Sequence, residues 1–374
     1  QIILSRDRVG EKPLYLHFNK NYISFSSDLK SFKRLPNFNK TLNFEAINNY
    51  FYLNYIPTPQ SIYSNTFKLP QSSYLIINLN SYKFRTFERF EDILKNKDFK
   101  IKKYWTNNEI KENNISLNYS LKKTEDLLYE SIQEKLISDV PICTFLSGGV
   151  DSSLIAALLS RINKKIDTFT VKFNEDEYDE SIYADKISSS LGLRNHKLDV
   201  TKYEIQDSIS LLPKIYSEPF SDSSQIPTYL ISKKIKQNAT VALGGDGGDE
   251  LFGGYNRYIY YNKYKNIINY TPKFIKNLLI NLGSSKFASP YLFKLMDLFL
   301  KQKSNNNYSR NKKIIEKLFK INDSKTFYES MINQNLPKNF FKENFSLDKS
   351  AINLYYDSNS KNFEQQMMNN DIKY

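Results

Sequence analysis

The stretch "CTFLSGGVDSSLIAALLS", Cys143 to Ser160, runs apolar, turns on two adjacent glycines, and re-enters an apolar segment. A short apolar run followed by helical spacing reads as strand, turn, helix. Gly148 and Gly149 let the backbone approach a ligand closely, because the side chains that would block it are missing. Beyond them the N–H groups of Val150, Asp151, Ser152 and Ser153 lie at a helix N-terminus, where an anion is favoured. Ser147, Ser152 and Ser153 add hydroxyl donors, so the stretch reads as a phosphate cradle. A helix dipole contributes at most ~2 kcal/mol, whereas a dissociation constant of about 0.1 mM needs roughly 5.5 kcal/mol. Hydrogen bonds to charged oxygens, about 1.5–3 kcal/mol each, must supply the remainder. Asp151 would repel phosphates unless a magnesium ion lies between, which makes it a candidate metal ligand. A plain turn with a helix cap would use the same residue types. The spacing is not that of a Walker loop, and the lysine of that motif is missing.

Working outward, "KIDTFTVKF" reads as a strand and "ESIYADKISSSLGL" as a helix ended by Gly192. Strands alternating with helices predict a parallel sheet with right-handed crossovers. Upstream, "SLKKTEDLLYESIQEKLISD" spaces Leu127, Leu128, Ile132, Leu136 and Ile137 as an amphipathic helix, with Ser120 as its expected cap. The polar "TNNEIKENNISLN" before it reads as a linker. From Gln1 to Trp105 the short segments "NYISFSS", "YSNTFKLP" and "SSYLIINL" predict antiparallel strands, with a helix at "NFEAINNYFYL". The region after Tyr255 has helix-like aromatic spacing and reads as a helical layer.

A length of 374 residues suggests two domains at about 150 residues each. One cysteine rules out an intramolecular disulfide framework, and no apolar run approaches the roughly 18 residues of a membrane helix. A reducing, cytoplasmic setting is expected, with no membrane partner. The net charge of +13 comes from lysines scattered among Asn, Ile and Tyr, so no nucleic-acid partner is expected from it.

A second glycine cluster, "TVALGGDGGDELFGGYNRY", Thr240 to Tyr258, follows another apolar strand and carries Asp246, Asp249 and Glu250. Three carboxylates so close repel one another unless a cation or a substrate ammonium group is shared among them. Together, "LISDVPICTFLSGGVDSS", "EPFSDSSQIPTYLISKKI" and "TVALGGDGGDELFGGYNRY" resemble the synthetase domain of glutamine-hydrolysing asparagine synthetases, in its order and spacing. "SRDRVGEKPLYL" and "ISFSSDLKSF" resemble the later part of that family's class II glutaminase domain.

The resemblance implies an α/β fold: a parallel sheet with flanking helices of the ATP-pyrophosphatase, or adenine nucleotide α-hydrolase-like, type. The C-terminal portion of an antiparallel α+β glutaminase of the N-terminal-nucleophile class precedes it. Boundaries follow at 1–105, a linker 106–118, and 119–374. The implied reaction is ATP-dependent activation of aspartate as β-aspartyl-AMP, amidated by glutamine-derived ammonia. ATP and magnesium would be required, with a homodimer as a candidate assembly. By similarity, residues Ser147 to Ser153 hold the pyrophosphate, Phe145, Val171, Gly244 and Gly245 line the AMP portion, Asp151 and Asp249 ligate magnesium, and Asp246 serves the acyl-adenylate. Many relatives carry serine at Gly244 and glutamate at Asp246. Glu250, Tyr255 and Asp222, with Glu218 and Ser223, are candidates for the substrate site, and a helix cap is an equal reading of Asp222.

On the same resemblance the chain reads as an internal fragment. The family's nucleophilic N-terminal cysteine would lie upstream of Gln1 and a phosphate-contacting lysine beyond Tyr374, so this stretch alone is expected to be impaired. Cys143, inside a strand, is expected to be inert, and His17 and His196 to be surface or structural. Rival readings are an amidotransferase for another carboxylate, in polysaccharide or secondary-metabolite synthesis, a tRNA-modifying ATP pyrophosphatase, and an inactive nucleotide-binding fragment. Thiolating members of the tRNA class need catalytic cysteines, and "GGDGGDELFGGY" has no part in that chemistry.

Overall fold

A computed structural model describes residues 1–106, 115–163, 165–173, 179–272, 274–278, 321, 323–333 and 363–373. The expected linker lies mostly outside them, at 107–114. The chain forms two compact units, residues 1–108 with 249–374, and residues 109–248.

In the first unit, β1 (Ile2–Ser5), β5 (Ser73–Ile77) and β6 (Phe99–Lys103) form one antiparallel sheet. The strands β2 (Tyr15–Phe18), β3 (Ile23–Ser26) and β4 (Thr66–Lys68) form another, with β2 central. Side chains alternate along β5, burying Ser73, Leu75 and Ile77. Leu4, Leu75 and Ile77 from one sheet share a core with Leu16, Phe18 and Phe67 from the other. Phe18 meets Phe87 and Phe99 edge-on, with centroids 5.1 and 5.7 Å away, each pair worth ~0.5–1.5 kcal/mol beyond area burial. The helices α1 (Leu29–Phe32) and α2 (Phe44–Leu53) lie between β3 and β4, and α3 (Phe90–Leu94) between β5 and β6. The expected helix at "NFEAINNYFYL" is α2, started by the Asn43 side chain on Glu45 and Ala46 N–H and stopped by Asn54 at φ +70°.

His17 on β2 is structural, as expected, and only 1% exposed. Its Nδ1 lies 2.9 Å from Thr66 Oγ1, while Nε2 has no hydrogen-bond partner among the rings of Tyr22, Phe32 and Phe38. Burial disfavours the charged ring and pushes its pKa down to about 4, against a raising backbone hydrogen bond at Asn65. The folded state thus binds fewer protons than the unfolded one below pH 6.5, and stability falls as pH drops from there toward 4. Urea melts at pH 7 and pH 5 should show a loss of ~2 kcal/mol that His17→Leu does not share. An equal loss in both proteins would exclude His17 as the source.

The second unit opens with α4 (Leu117–Lys135). Its cap is Ser116, whose side chain accepts from Tyr119 N–H, and not Ser120 as the sequence suggested. Ser120 lies inside the first turn and donates to the Ser116 carbonyl at 3.1 Å. The capping hydroxyl and its partner are three positions apart, and both serines precede residues with helical spacing, so spacing alone could not choose. Then follow β7 (Ile142–Phe145), α5 (Val150–Ile162), β8 (Thr168–Phe173), α6 (Ser181–Leu191), β9 (Asn195–Val200), α7 (Lys202–Ile215), α8 (Gln225–Ile235) and β10 (Val241–Leu243). Gly192 at φ +69° ends α6.

All four strands are parallel, in the order β10-β7-β8-β9. Cys143, Phe169 and Ala242 meet Ile231 and Ile235 of α8 on one face. Leu243, one position on and therefore on the opposite face, meets Leu158 and Leu159 of α5 and Ile132 of α4. The expected parallel sheet with flanking helices is present. Among the described residues no helix is long and apolar enough to cross a membrane.

After β10 come α9 (Gly248–Phe252), within the second glycine cluster, then α10 (Asn256–Tyr270), α11 (Ser324–Ile332) and α12 (Phe363–Lys373). Tyr258 and Tyr261 of α10 pack with Phe327 and Tyr328 of α11 and Met367 of α12 in the first unit.

Candidate functional site

The strand order reverses direction at β7. From it the chain steps outward to β8 and β9, then returns to add β10 on the other edge. In open parallel sheets ligands bind beyond the carboxyl ends of the strands at such a switch point. The loops that leave β7 and β10 there are the two glycine turns.

Gly148 holds φ +86°, and a Cβ on it would lie 2.8 Å from Tyr183 Cβ and 3.1 Å from Ala184 N. The turn therefore presses on the start of α6, and only glycine satisfies both conditions. Gly149 caps the 13-residue α5, and no side chain caps that helix's N–H groups. The serines are turned inward: Ser153 Oγ donates to the Gly149 carbonyl at 2.6 Å, Ser152 Oγ at 3.2 Å, and Ser147 Oγ lies 2.9 Å from Ser152 Oγ. The hydroxyls hold the loop's shape, also accepting from the N–H groups of Ser147 and Gly149, and the α5 N-terminus they leave without a side-chain cap is a position that favours an anion.

Asp151 joins the two turns. A Cβ on Gly245 would come within 2.8 Å of Asp151 Cβ, and one on Gly248 within 2.8 Å of Asp151 Oδ1. The carboxylate is thus seated against the second glycine turn. Among the described residues no three His, Cys, Asp or Glu side chains gather as a metal-binding group. Magnesium commonly takes one or two protein carboxylates and fills its shell with phosphate oxygens and water, so a single carboxylate beside an anion cradle fits it.

Beside Ser147 opens a cavity of about 630 Å³, walled by Phe145, Phe169, Val171, Phe173, Ile205 and Ile231, with Leu146 and Pro227. Its size and apolar walls suit a small ligand, and Glu180 adds one carboxylate at its lining. Phe145 and Val171 were picked out from the sequence; Phe169, Phe173, Ile205, Ile231 and Glu180 were not. Phe169 and Phe173 flank Val171 at the two-residue period of "TFTVKF", a signal that was readable. Glu180, just before α6, offered none.

Asp246 bends back over the turn, so that a Cβ on Gly244 would lie 2.8 Å from Asp246 Oδ2 and 3.7 Å from the Phe145 ring. Glycine at 244 gives this carboxylate room near the cavity wall. Asp222 accepts from Ser224 N–H at 2.6 Å ahead of α8, the geometry of a helix-start turn. In the first unit, α9 carries Asp249 and Glu250, and Glu250 Oε1 accepts from the Tyr255 hydroxyl at 2.6 Å. A Cβ on Gly254 would overlap Asp249 Oδ1. Cys143 is 1% exposed, and burial, with Asp167 nearby, pushes its thiol up to about 11. It has no nucleophilic thiolate at neutral pH. His196 stacks on Phe169 at 4.8 Å, with Nε2 3.4 Å from Asp167 Oδ1 but outside hydrogen-bond geometry.

Residues 123–374 match the family model described as Asparagine synthase. The chain belongs to the asparagine synthase family. Residues 1–88 match the model described as Glutamine amidotransferase domain. A Methanocaldococcus jannaschii protein named "Putative asparagine synthetase (glutamine-hydrolyzing) 2" is 34% identical over 306 residues, which cover 78% of this chain and 55% of that protein. Asparagine synthetase (glutamine-hydrolyzing) 1 of Bacillus subtilis is 29% identical over 254 residues, 68% of this chain and 37% of its own. The chain therefore spans about half the length, or less, of these curated relatives. Among solved structures, the NH3-dependent NAD synthetase of Campylobacter jejuni aligns with 56% of this chain and 95% of its own at 15% identity and a TM-score of 0.27, too low to support an inference. This family assignment removes the basis for the tRNA-modifying alternative, and the buried thiol of Cys143 agrees.

Proposed function

We propose that this asparagine synthase family chain carries the ATP site of a glutamine-hydrolysing asparagine synthase. The observation that carries the reading is the meeting of both glycine turns on Asp151 at the switch point, beside an apolar cavity of nucleoside size. Residues 119–374 would form the synthetase domain and 1–105 the C-terminal portion of the glutaminase domain, joined by 106–118.

In this reading the cavity at Phe145 and Val171 takes the adenosine, and the N–H groups at the start of α5 take the pyrophosphate end. Asp151 would hold a magnesium ion, which offsets phosphate charge when bound. A side-chain carboxylate oxygen of aspartate attacks the α-phosphorus, and the bond to pyrophosphate breaks with its electron pair leaving on pyrophosphate. Ammonia then attacks the acyl carbon, AMP departs, and the nitrogen loses a proton to give asparagine. Donors fixed at the helix start stabilise the leaving pyrophosphate without reorganisation. The family resemblance assigns Asp246 to formation and use of the acyl-adenylate, and its place over Gly244 is compatible with that role.

With ATP, magnesium, aspartate and ammonium, the protein bearing these residues should release AMP and pyrophosphate in equal amounts. Chromatography of the nucleotides settles it: ADP and phosphate as products would overturn the reading. Replacing aspartate by other carboxylates tests the substrate itself, and activity only with another acid would reassign it.

A further inference from the structure

Among the described residues that line the cavity beside Ser147, Glu180 is the one that carries a charge. The other acids near the start of α6 have structural partners. Asp179 accepts from the Ser181 N–H at 2.9 Å and from its hydroxyl at 3.1 Å, and Asp185 accepts from Lys197 Nζ at 2.7 Å and Asn195 Nδ2 at 3.0 Å. Glu180 has no such task. It stands where a helix-capping side chain would act, yet its carboxylate caps nothing and makes no hydrogen bond or ion pair with the described residues. Its backbone is nevertheless fixed, since its carbonyl accepts from the N–H groups of Tyr183 and Ala184 at 3.0 and 3.2 Å.

The place of Glu180 along the cavity decides what it would meet. A Cβ on Gly148 would lie 3.4 Å from the Glu180 carbonyl oxygen, so the residue is seated against the first glycine turn. Ile205 of α7 and Pro227 and Ile231 of α8 supply apolar wall. Gly148, Glu180 and the cavity all belong to the second unit. A nucleotide is a fixed order of groups: phosphates, ribose, base. With the phosphates at the start of α5 and the base among apolar side chains, the ribose comes next to the turn. A carboxylate only accepts hydrogen bonds. Beside phosphate oxygens it repels, whereas the 2′- and 3′-hydroxyls are adjacent donors that its two oxygens can accept together. Acidic residues read ribose in this way in dinucleotide-binding folds.

We propose that Glu180 accepts hydrogen bonds from the ribose hydroxyls and makes the site select ribonucleotides over deoxynucleotides. The proposal rests on the functional reading for the nucleotide itself and adds the residue that reads its sugar. Glu180 is exposed, so burial does not penalise its charge before the nucleotide arrives.

The test is binding of ATP, 2′-deoxyATP, 3′-deoxyATP and ITP, each with magnesium, to the protein bearing these residues, with no turnover required. The unaltered protein should bind ATP about tenfold more tightly than either deoxynucleotide, the worth of one hydrogen bond to a charged acceptor. In Glu180→Ala, ATP should weaken to the level of the deoxynucleotides, so that the ratio falls to within about twofold. Glu180→Gln keeps one acceptor oxygen and loses the charge, and its ratio should fall between. Should Glu180→Ala fail to fold, Glu180→Gln carries the same comparison. A uniform loss for all four nucleotides in Glu180→Ala would mean that the residue only shapes the turn, and would overturn the proposal. So would loss of the preference for ATP over ITP with the deoxynucleotide ratio intact, since the carboxylate would then meet the base. If the unaltered protein binds ATP without distinguishing the deoxynucleotides, this proposal alone falls. If it binds none of the four, the functional reading falls and the proposal with it.

Discussion

Asp151→Asn is expected to weaken ATP binding in magnesium by on the order of 100-fold, about 3 kcal/mol, and to leave binding in EDTA unchanged or slightly tighter. The change of sign follows from the position of the carboxylate. Asp151 stands at the first turn of α5, against Gly245 and Gly248, where phosphate oxygens would meet the helix N–H groups. Two unit charges 4 Å apart interact by ~4 kcal/mol at an effective dielectric of about 20. Without a divalent ion that interaction repels the nucleotide, and with one it attracts through the ion. Asparagine keeps the shape and removes the charge, so it deletes both effects together. Titration of ATP by calorimetry in each condition reads them separately. Equal losses with and without magnesium would mean that Asp151 acts only through its packing against Gly245 and Gly248 and not as a metal ligand.

What the sequence made legible here was local. Strand, glycine turn and helix lie consecutively from Ile142 to Ile162, so the pyrophosphate-type loop could be read from one stretch. Gly192 stopped α6 where a left-handed residue was needed. The start of α7 also carries a local signal, the reciprocal capping of Thr201 and Glu204. The strand before it, "NHKLDV", alternates charged and apolar residues on a partly exposed edge. Its edge position comes from the sheet order, which the chain does not state.

Three of the cavity walls, Ile205 on α7 and Pro227 and Ile231 on α8, belong to elements placed by packing on the sheet rather than by spacing. Arg257 and Asp371 are 114 positions apart, and nothing local to either marks the other as its partner. Contacts across such distances are fixed by which apolar faces share a core, here Tyr258 and Tyr328 with Met367. The glycine motifs predicted that ligand-contacting backbone would lie there, but not that Asp151 would sit between them.

That packing separates two glycines that look alike in "LGGDGGDE". Gly247 holds φ +88° with nothing within 4 Å of a prospective Cβ. Gly245 is not in the left-handed region, but its Cβ would lie 2.8 Å from Asp151 Cβ, 3.0 Å from Asp151 C and 3.0 Å from Ser152 N. Gly247→Ala should therefore cost stability, ~1–3 kcal/mol of backbone strain, and leave ATP affinity within about threefold. Gly245→Ala meets backbone of the first turn of α5, which cannot rotate aside as a side-chain tip can. Either the β10 loop or the helix start must shift, and a displacement of about 1 Å there costs roughly 100-fold in binding or rate. Thermal melting and nucleotide titration on both variants separate the two effects. Normal ATP binding by Gly245→Ala, or a larger affinity loss in Gly247→Ala, would show that the second glycine turn does not hold the first one in its ligand-binding geometry.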